Sequence, residues 1–287
     1  MASRGDFHCH STASDGVLSP TEVVRLAVRN GVEILALTDH DSTEGIPEAQ
    51  AEAARHPGFR LIPGIELSTD IPGNEVHVLG YFARIDDPEF QAHLARFREG
   101  RVGRGRRMVE KLNAMGVAIT WERVLEIAGD ASVGRPHVAQ ALLEAGYVKS
   151  IPEAFDRYIG RNGPAYAERE KMTPEEAVSF IVRFHGVAVL AHPRDLEDLD
   201  GLLARLKEAG LSGMEVYYQD YDEETIARLK AAADRHGLIP LGGSDYHGLG
   251  GDYQREPGMI PLPDGPIQRF LAVCEERWAR AEKRAAP

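Results

Sequence analysis

A unit that recurs along the chain constrains the fold more than any other feature of the sequence. Each copy is a helix-forming stretch that ends in glycine, followed by a short apolar run and then by a polar residue suited to chemistry. The apolar runs lie at 32–37, 187–191, 211–217 and 238–241. Glycine closes a helix in the left-handed conformation, and helices that alternate with buried strands form parallel βα units. We therefore predict a (β/α) barrel, incomplete or distorted, with its site at the carboxyl ends of the strands.

The segment 100–165 departs from this rhythm. It contains helix-forming stretches at 106–115, 136–145 and 153–159 but no clear buried strand. We interpret it as a small helical insertion that rests over the mouth of the barrel. The predicted organisation is therefore a first barrel part (1–99), the insertion (100–165) and a second barrel part (166–287).

Composition excludes several classes of protein. The formal charge of −12 argues against stable binding to duplex nucleic acid, which needs a basic face. No apolar run approaches the roughly 18 residues that a membrane span needs. The first residues pass directly into candidate site residues, which leaves no room for a signal peptide. The two cysteines imply no disulfide framework. We expect a cytoplasmic protein that does not bind membranes.

Histidines and carboxylates follow the predicted strands in six separate segments. His8 and His10 are two positions apart, so on a strand both point to one face and can share a cation, with Asp15 close by. The further candidates are His40, Glu66, His77, His192, Asp245 and His247. A single histidine at a strand end is more often structural. Gathered on one barrel face, however, these groups would repel each other or stay unsatisfied without cations, so we predict bound divalent metal ions.

These segments resemble the motifs of the PHP (polymerase and histidinol phosphatase) family in order and spacing. The motifs are His8-Cys9-His10-Ser11, Thr38-Asp39-His40, Glu66, His77, Ala191-His192-Pro193 and Ser244-Asp245-Tyr246-His247. The resemblance implies a distorted seven-stranded (β/α)7 barrel that holds up to three metals. It also implies that Glu66, Asp245 and His192 are catalytic.

The resemblance further implies three sets of metal ligands. The first is His8, His10, Glu66 and Asp245; the second is Glu66, as a bridge, with His77 and His192; the third is Asp15, His40 and His247. Asp15 replaces a histidine that is common in histidinol phosphate phosphatases, and an oxygen ligand favours Mn²⁺ or Mg²⁺ over Zn²⁺ at that site. The whole set suits Mn²⁺, Fe²⁺ or Zn²⁺, and we expect Mn²⁺.

The insertion contains a candidate anion site. Arg135 directly precedes Pro136, which can start a helix, and a helix N-terminus with an adjacent arginine binds anions. Ser132, His137 and Lys171 are the other candidate substrate-binding residues. The alternative is an ordinary capped helix with a solvated arginine. The run Gly134-Arg135-Pro136-His137 resembles the PHP subgroup that acts on nucleotide 3′,5′-bisphosphates and on 5′ ends of short RNA. The arginines of 101–107 are expected to form a solvated helix face.

Together these observations predict a metal-dependent phosphomonoesterase. A nucleoside 3′,5′-bisphosphate is the first choice of substrate, because one phosphate can be hydrolysed while the other lies at Arg135. Histidinol phosphate or another small phosphate monoester is the main alternative. Two rivals belong to other classes: a metal-dependent amide or lactone hydrolase, and a metal-binding module without activity. The sequence says nothing about the oligomeric state.

Overall fold

The computed structural model describes residues 4–71, 74–129, 131–168, 172–249 and 255–285, with side chains described as far as residue 280. Within these ranges seven strands form a single sheet in chain order. They are β1 (Gly5–Asp6), β2 (Ile34–Leu37), β3 (Arg60–Ile71), β4 (Asn74–Tyr81), β5 (Val187–Leu190), β6 (Gly213–Tyr218) and β7 (Ile239–Gly243). Beyond the last strand, the chain returns to the first through a parallel bridge between Cys9 and Tyr246. This arrangement confirms the distorted seven-stranded barrel.

The helices alternate with the strands as the recurring unit predicts. Those of the barrel are α1 (Pro20–Arg29), α2 (Ile46–Ala53), α7 (Pro174–Arg183), α8 (Leu199–Ala209), α9 (Glu223–Arg235) and α10 (Asp264–Ala285). Ser19 and Thr173 cap α1 and α7, each with a proline in the first turn and a reciprocal glutamate three positions on. In the part of the chain that the structure describes, no helix combines the length and apolar character needed to cross a membrane.

Strand β4 is the main distortion of the barrel. It runs antiparallel to both β3 and β5, whereas the other neighbouring strands are parallel. Only residues 72 and 73 separate β3 from β4, too few for a crossover between parallel strands, so the two strands form a hairpin. Because β4 is reversed, its first half lies beside the carboxyl ends of the parallel strands. That position brings His77 to the mouth of the barrel.

Side-chain alternation separates the core from the site. Ile62 and Glu66 lie on the same face of β3, and Leu79 and His77 lie on the same face of β4. The apolar members of these faces pack together in one buried cluster with Phe7 and Val189, and the aromatic side chain of Phe270 from α10 belongs to it. The polar members follow along each strand towards the mouth. An apolar layer therefore supports the polar site from below.

The insertion has a small core of its own. It contains α4 (Trp121–Ala128), α5 (Arg135–Glu144), α6 (Ile151–Ala154) and a π-helical turn (Phe155–Ile159), packed in a buried cluster that extends from Met108 to Ala167. Helix α3 (Pro88–Ala114) passes residue 100 without interruption. Its first half packs on the barrel core through Phe90 and Leu94, and its second half packs into the insertion core. The helical character is as expected, and α3 physically joins the two cores.

The expectation of a solvated arginine face on α3 is wrong for Arg101 and Arg104. Both side chains are buried: Arg101 donates to the Asp41 carboxylate and to Ser68 Oγ (2.6 Å), and Arg104 lies 3.7 Å from Glu75. Arg106 and Arg107 are exposed on the other side of the helix. The helical periodicity places the four arginines on two faces of α3, and only Arg101 and Arg104 contact the mouth of the barrel.

Loss of Arg101 is expected to destabilise the protein. Arg101→Ala leaves the buried Asp41 carboxylate without its cationic partner, which costs about 3–5 kcal/mol of the free energy of unfolding. Urea denaturation measures this change. Arg106→Ala, on the same helix but exposed, is the matched control and should change stability by less than about 0.5 kcal/mol. Equal, small effects at both positions would show that the buried ion pair does not tie α3 to the barrel.

Candidate metal centre

The predicted metal ligands meet at the mouth of the barrel, and four of them form a compact first group. His8 and His10 follow β1, Glu66 lies in β3, and Asp245 follows β7. The Nε2 atoms of His8 and His10 are 3.1 Å apart, 3.3 and 3.2 Å from Glu66 Oε2, and 3.2 and 3.0 Å from Asp245 Oδ1. Four ligand atoms placed tetrahedrally around a cation, each about 2.0 Å from it, lie about 3.3 Å apart. The group therefore has the dimensions of a metal site.

Three atoms of the predicted ligands lack a hydrogen-bond partner in the described part of the structure. Glu66 Oε2, Asp245 Oδ1 and His40 Nδ1 are buried and have no hydrogen-bond partner among the described residues. Leaving a buried carboxylate oxygen unsatisfied is costly, so such atoms need an explanation. A cation held between them supplies it. The residues present therefore fit a metal ion.

Glu66 also serves a second group through its other oxygen. Its Oε1 atom lies 2.8 Å from His77 Nδ1 and 3.1 Å from His192 Nε2. Its Oε2 atom, which faces the first group, also lies 3.0 Å from His40 Nδ1. One fully buried carboxylate thus faces imidazoles on both sides, which is the arrangement of a bridging ligand. The expected partners of Glu66 lie next to it.

A third group surrounds Asp15. Its carboxylate lies 3.4 Å from His247 Nε2, 3.7 Å from His40 Nε2 and 3.8 Å from His10 Nδ1. His10 and His40 turn one nitrogen towards Asp15 and the other towards Glu66. These two imidazoles therefore connect the third group with the first. We call the nine residues of the three groups the ligand cluster: His8, His10, Asp15, His40, Glu66, His77, His192, Asp245 and His247.

The buried carboxylates of the ligand cluster are stabilised by positively charged neighbours. Burial alone would raise the pKa of Glu66, but the imidazoles of His40 and His77 hold that pKa well below its usual range. Conversely, burial would lower the pKa of His247, and the carboxylates of Asp15 and Asp245 raise it to about 10. The carboxylates likewise raise the pKa of His8 and His77, whereas burial lowers the pKa of His40. Divalent cations can take the place of the protons on the raised imidazoles, and metal binding then releases those protons.

Two aspartates outside the ligand cluster fix the loops that carry it. Asp39 accepts hydrogen bonds from Ser11 N (2.7 Å), Ser11 Oγ (2.8 Å) and Ser14 Oγ (2.6 Å), which orders the loop that contains Asp15. Asp6 accepts from the backbone N–H groups of Ser244 and Gly258, both at 3.0 Å, and joins the first strand to the segment after the last. These bonds place residues from opposite ends of the chain in one site.

Two of the candidate anion-binding residues, Ser132 and His137, lie beside the third group. The backbone N–H of Ser132 donates to Ala13 O (3.2 Å), which brings the start of α5 against the loop of Asp15. Ser132 Oγ is buried and has no hydrogen-bond partner among the described residues. His137 Nδ1 accepts from Gly134 N (2.9 Å), and the ring also bonds to the backbone of Ser14. The imidazole of His137 therefore ties α5 to the loop.

Arg135 is not solvated. Its guanidinium forms an ion pair with the Glu75 carboxylate and lies over the ring of Phe155, 5.3 Å from the centroid. Glu75 lies two residues before His77 on β4, so Arg135 contacts the rim of the ligand cluster. The alternative of a solvated arginine is therefore wrong. Lys171 lies outside the described residues.

Glu215 and Tyr218 were not predicted from the sequence. Both belong to β6; the Glu215 carboxylate contacts His8, and the Tyr218 hydroxyl contacts Asp245. Burial and the charge of Asp245 raise the pKa of Tyr218 well above its usual range, so its hydroxyl donates. A signal for Glu215 was available: a carboxylate inside an otherwise apolar strand is rarely buried without a partner.

This site and this barrel define a metal-dependent phosphoesterase. The PHP domain matches residues 6–247, and the chain belongs to the PHP family. It is similar to the 3′,5′-nucleoside bisphosphate phosphatase of Chromobacterium violaceum, with 34% identity over 97% of this chain and 96% of that protein. It is also similar to the 5′-3′ exoribonuclease Rnm of Salmonella typhimurium, with 36% identity over 84% of each.

A solved structure shows the same architecture. The crystal structure of a proposed metal-dependent phosphoesterase from Bifidobacterium adolescentis has a TM-score of 0.85 and 30% identity, and the match covers 95% of this chain and 97% of that one. These similarities confirm the family, the barrel and the hydrolase class that the motifs predict. The PHP domain is metal-dependent, in agreement with the ligand cluster.

Proposed function

We propose that this chain is a phosphomonoesterase that removes one phosphate from nucleoside 3′,5′-bisphosphates. The start of α5 is the main support for this proposal: Ser132, just before the helix, donates to Ala13 O in the loop of Asp15, and Arg135 pairs with Glu75, two residues before His77. A substrate with two phosphates can place one over the ligand cluster and the other at α5. The bisphosphate phosphatase from Chromobacterium violaceum, similar over nearly its full length, supports this choice.

The ligand cluster is proposed to hold two or three divalent ions, with Mn²⁺ as the expected metal. His8, His10, Glu66 and Asp245 would hold the first, Glu66 with His77 and His192 the second, and Asp15 with His40 and His247 the third. Bound there, the ions supply charge stabilisation for the phosphoryl oxygens and activation of water. The protein itself holds these side chains at fixed distances and keeps other hydrogen-bonding groups away from their donor atoms.

The non-reacting phosphate is proposed to lie at the start of α5. The positive dipole end of the helix favours an anion, and Ser132 Oγ is a buried donor with no partner among the described residues. Arg135 would exchange its Glu75 partner for the phosphate, which its fork can bind with two hydrogen bonds. His137 holds the loop in place, and Lys171 would add a point charge.

A second candidate substrate is the 5′ end of a short oligoribonucleotide. The similarity to the Salmonella typhimurium exoribonuclease favours it. The ends of such strands present phosphates at the same spacing as a bisphosphate, so both substrates can use one site. The net charge of −12 opposes long, nonspecific contacts with a polyanion, and short strands are therefore expected to be preferred to long ones.

The metal content provides the first test. We expect at least two divalent ions per chain after mild purification or after loading with Mn²⁺, because the ligand cluster contains more donors than one ion can bind. Elemental analysis of the protein measures this number, and chelator-treated protein should lose both metal and phosphatase activity. Fewer than one ion per chain after Mn²⁺ loading would contradict the proposed metal centre.

A further inference from the structure

Strand β6 provides none of the proposed metal ligands, yet two of its side chains touch them. Glu215 has no exposed surface. Its Oε1 atom lies 3.1 Å from His8 Nδ1, and its Oε2 atom accepts the backbone N–H of His192 at 2.8 Å. One carboxylate is thus shared between a side chain of the first group and the backbone of a member of the second.

The contact with His8 determines which nitrogen faces the cluster. A carboxylate accepts but does not donate, so the proton of a neutral His8 lies on Nδ1 and points to Glu215. The lone pair of Nε2 is then free and directed at Glu66 and Asp245, 3.3 and 3.2 Å away. A carboxylate that fixes the tautomer of a metal-bound histidine also raises the basicity of the imidazole and holds the ring in one orientation.

Tyr218 acts on another member of the first group. Its hydroxyl donates to Asp245 Oδ2 at 2.6 Å. That bond occupies one carboxylate oxygen and leaves Oδ1, the atom that lies 3.2 and 3.0 Å from His8 and His10, facing the cluster. Asp245 has a positive φ of 48°, a strained conformation for an aspartate that the surrounding contacts must hold.

A bulge in β6 brings both side chains to the site. Simple alternation would place Glu215 and Tyr218 on opposite faces of the strand. The register with β7 shifts between Glu215 and Tyr217. Glu215 pairs with Leu241 and Tyr217 pairs with Gly242, so two steps along β6 match one step along β7. Bulges re-aim side chains next to active sites and are rare in parallel pairs.

The neighbouring strand β7 has a glycine, Gly242, next to this bulge. A Cβ atom at Gly242 would lie 1.8 Å from the carbonyl oxygen of Tyr217, so no other residue fits there without a backbone shift. The path of β6 therefore explains Gly242, whereas a Cβ atom at Gly243 would meet His8 and Asp6 on the other side.

We infer from these contacts that Glu215 and Tyr218 are positioning residues, which hold ligands of the first and second groups in place for the cations. The inference rests on the metal centre of the proposed function. Neither side chain is needed to bind the metal or the substrate directly. Loss of such a supporting contact typically lowers metal affinity about 10- to 100-fold.

Titration of the metal-free, full-length protein with Mn²⁺ by isothermal calorimetry tests the inference. Tyr218→Phe and Glu215→Gln are expected to bind Mn²⁺ at the tightest site about 10- to 100-fold more weakly than the wild type. Saturating Mn²⁺ should restore most of the lost turnover. Tyr221→Phe is the matched control with wild-type affinity, because its ring neighbours Tyr218 (5.0 Å between centroids) while its hydroxyl accepts only the Arg194 N–H among the described groups.

The thermal midpoint of each metal-free variant separates positioning from folding. The thermal midpoint of Tyr218→Phe should lie within a degree or two of that of Tyr221→Phe. If Glu215→Gln misfolds, the Mn²⁺ affinity of Tyr218→Phe alone tests the inference. Wild-type Mn²⁺ affinity in Tyr218→Phe would overturn the inference, and a loss of turnover that excess Mn²⁺ does not restore would instead assign Tyr218 to the substrate. If the wild type itself failed to bind Mn²⁺, the proposed metal centre would fall, which is a distinguishable result.

Discussion

Replacement of Glu66 by glutamine is expected to lower turnover by at least about 1,000-fold while the fold remains intact. Both oxygens of Glu66 face imidazoles, so the change removes a charge that two cations are proposed to share. A metal centre contributes several kcal/mol of charge stabilisation to phosphoryl transfer, and each 1.4 kcal/mol corresponds to a factor of ten in rate. The bulk and backbone of the side chain barely change. Steady-state kinetics with Mn²⁺-loaded protein measure the loss, and circular dichroism checks the fold.

A second buried glutamate provides the control for this experiment. Glu52 is also nearly inaccessible to solvent, but it lies on α2 and pairs with Arg25 and His56, away from the ligand cluster. Glu52→Gln should keep wild-type turnover. If Glu66→Gln retained more than about a tenth of the wild-type rate, Glu66 would not be the bridge between two metals.

Replacement of Arg135 by alanine is expected to have the second-largest effect, and a selective one. For a nucleoside 3′,5′-bisphosphate, kcat/KM should fall about 30- to 1,000-fold, equivalent to roughly 2–4 kcal/mol of transition-state binding. For p-nitrophenyl phosphate, which has no second phosphate, the loss should be small. Lys171→Ala should show the same selectivity more weakly, because an ammonium offers a point charge rather than a fork. Comparison of the two substrates in parallel assays measures the selectivity.

The ion pair of Arg135 with Glu75 makes a control necessary. Arg123, on α4 of the insertion, is also paired with glutamates but is exposed and lies away from the ligand cluster. Arg123→Ala should leave both substrates unaffected. Equal losses on both substrates in Arg135→Ala would mean that the arginine supports the metals through Glu75 and does not contact a phosphate.

The sequence allowed the barrel, and the side chains that meet at its mouth, to be predicted. Each strand end carries its polar residue within a few positions of a clear apolar run, so local pattern alone locates His40, His192 and Asp245. Parallel strands must then bring those positions to one face. The three ligand sets followed from the family resemblance, whereas the distances between the ligand atoms required the structure.

Other features depend on contacts that no local pattern reports. The antiparallel direction of β4 follows from a connection of only two residues, a signal that the apolar periodicity does not contain. Arg101 was expected to be solvated because its partners, Asp41 and Ser68, lie 60 and 33 positions away in the chain. Tyr218 reaches Asp245 only because β6 is bulged. Alternation along a regular strand would have pointed it elsewhere.

In the proposed function, one phosphate is hydrolysed at the metals while a second is held at α5. The most direct measurement compares kcat/KM of the Mn²⁺-loaded protein for adenosine 3′,5′-bisphosphate, adenosine 5′-monophosphate and adenosine 3′-monophosphate, followed as released inorganic phosphate. We expect one equivalent of phosphate from the bisphosphate, a kcat/KM at least about 30-fold above that of either monophosphate, and no release after chelation. Equal values for all three nucleotides, or release that persists without metal, would contradict it.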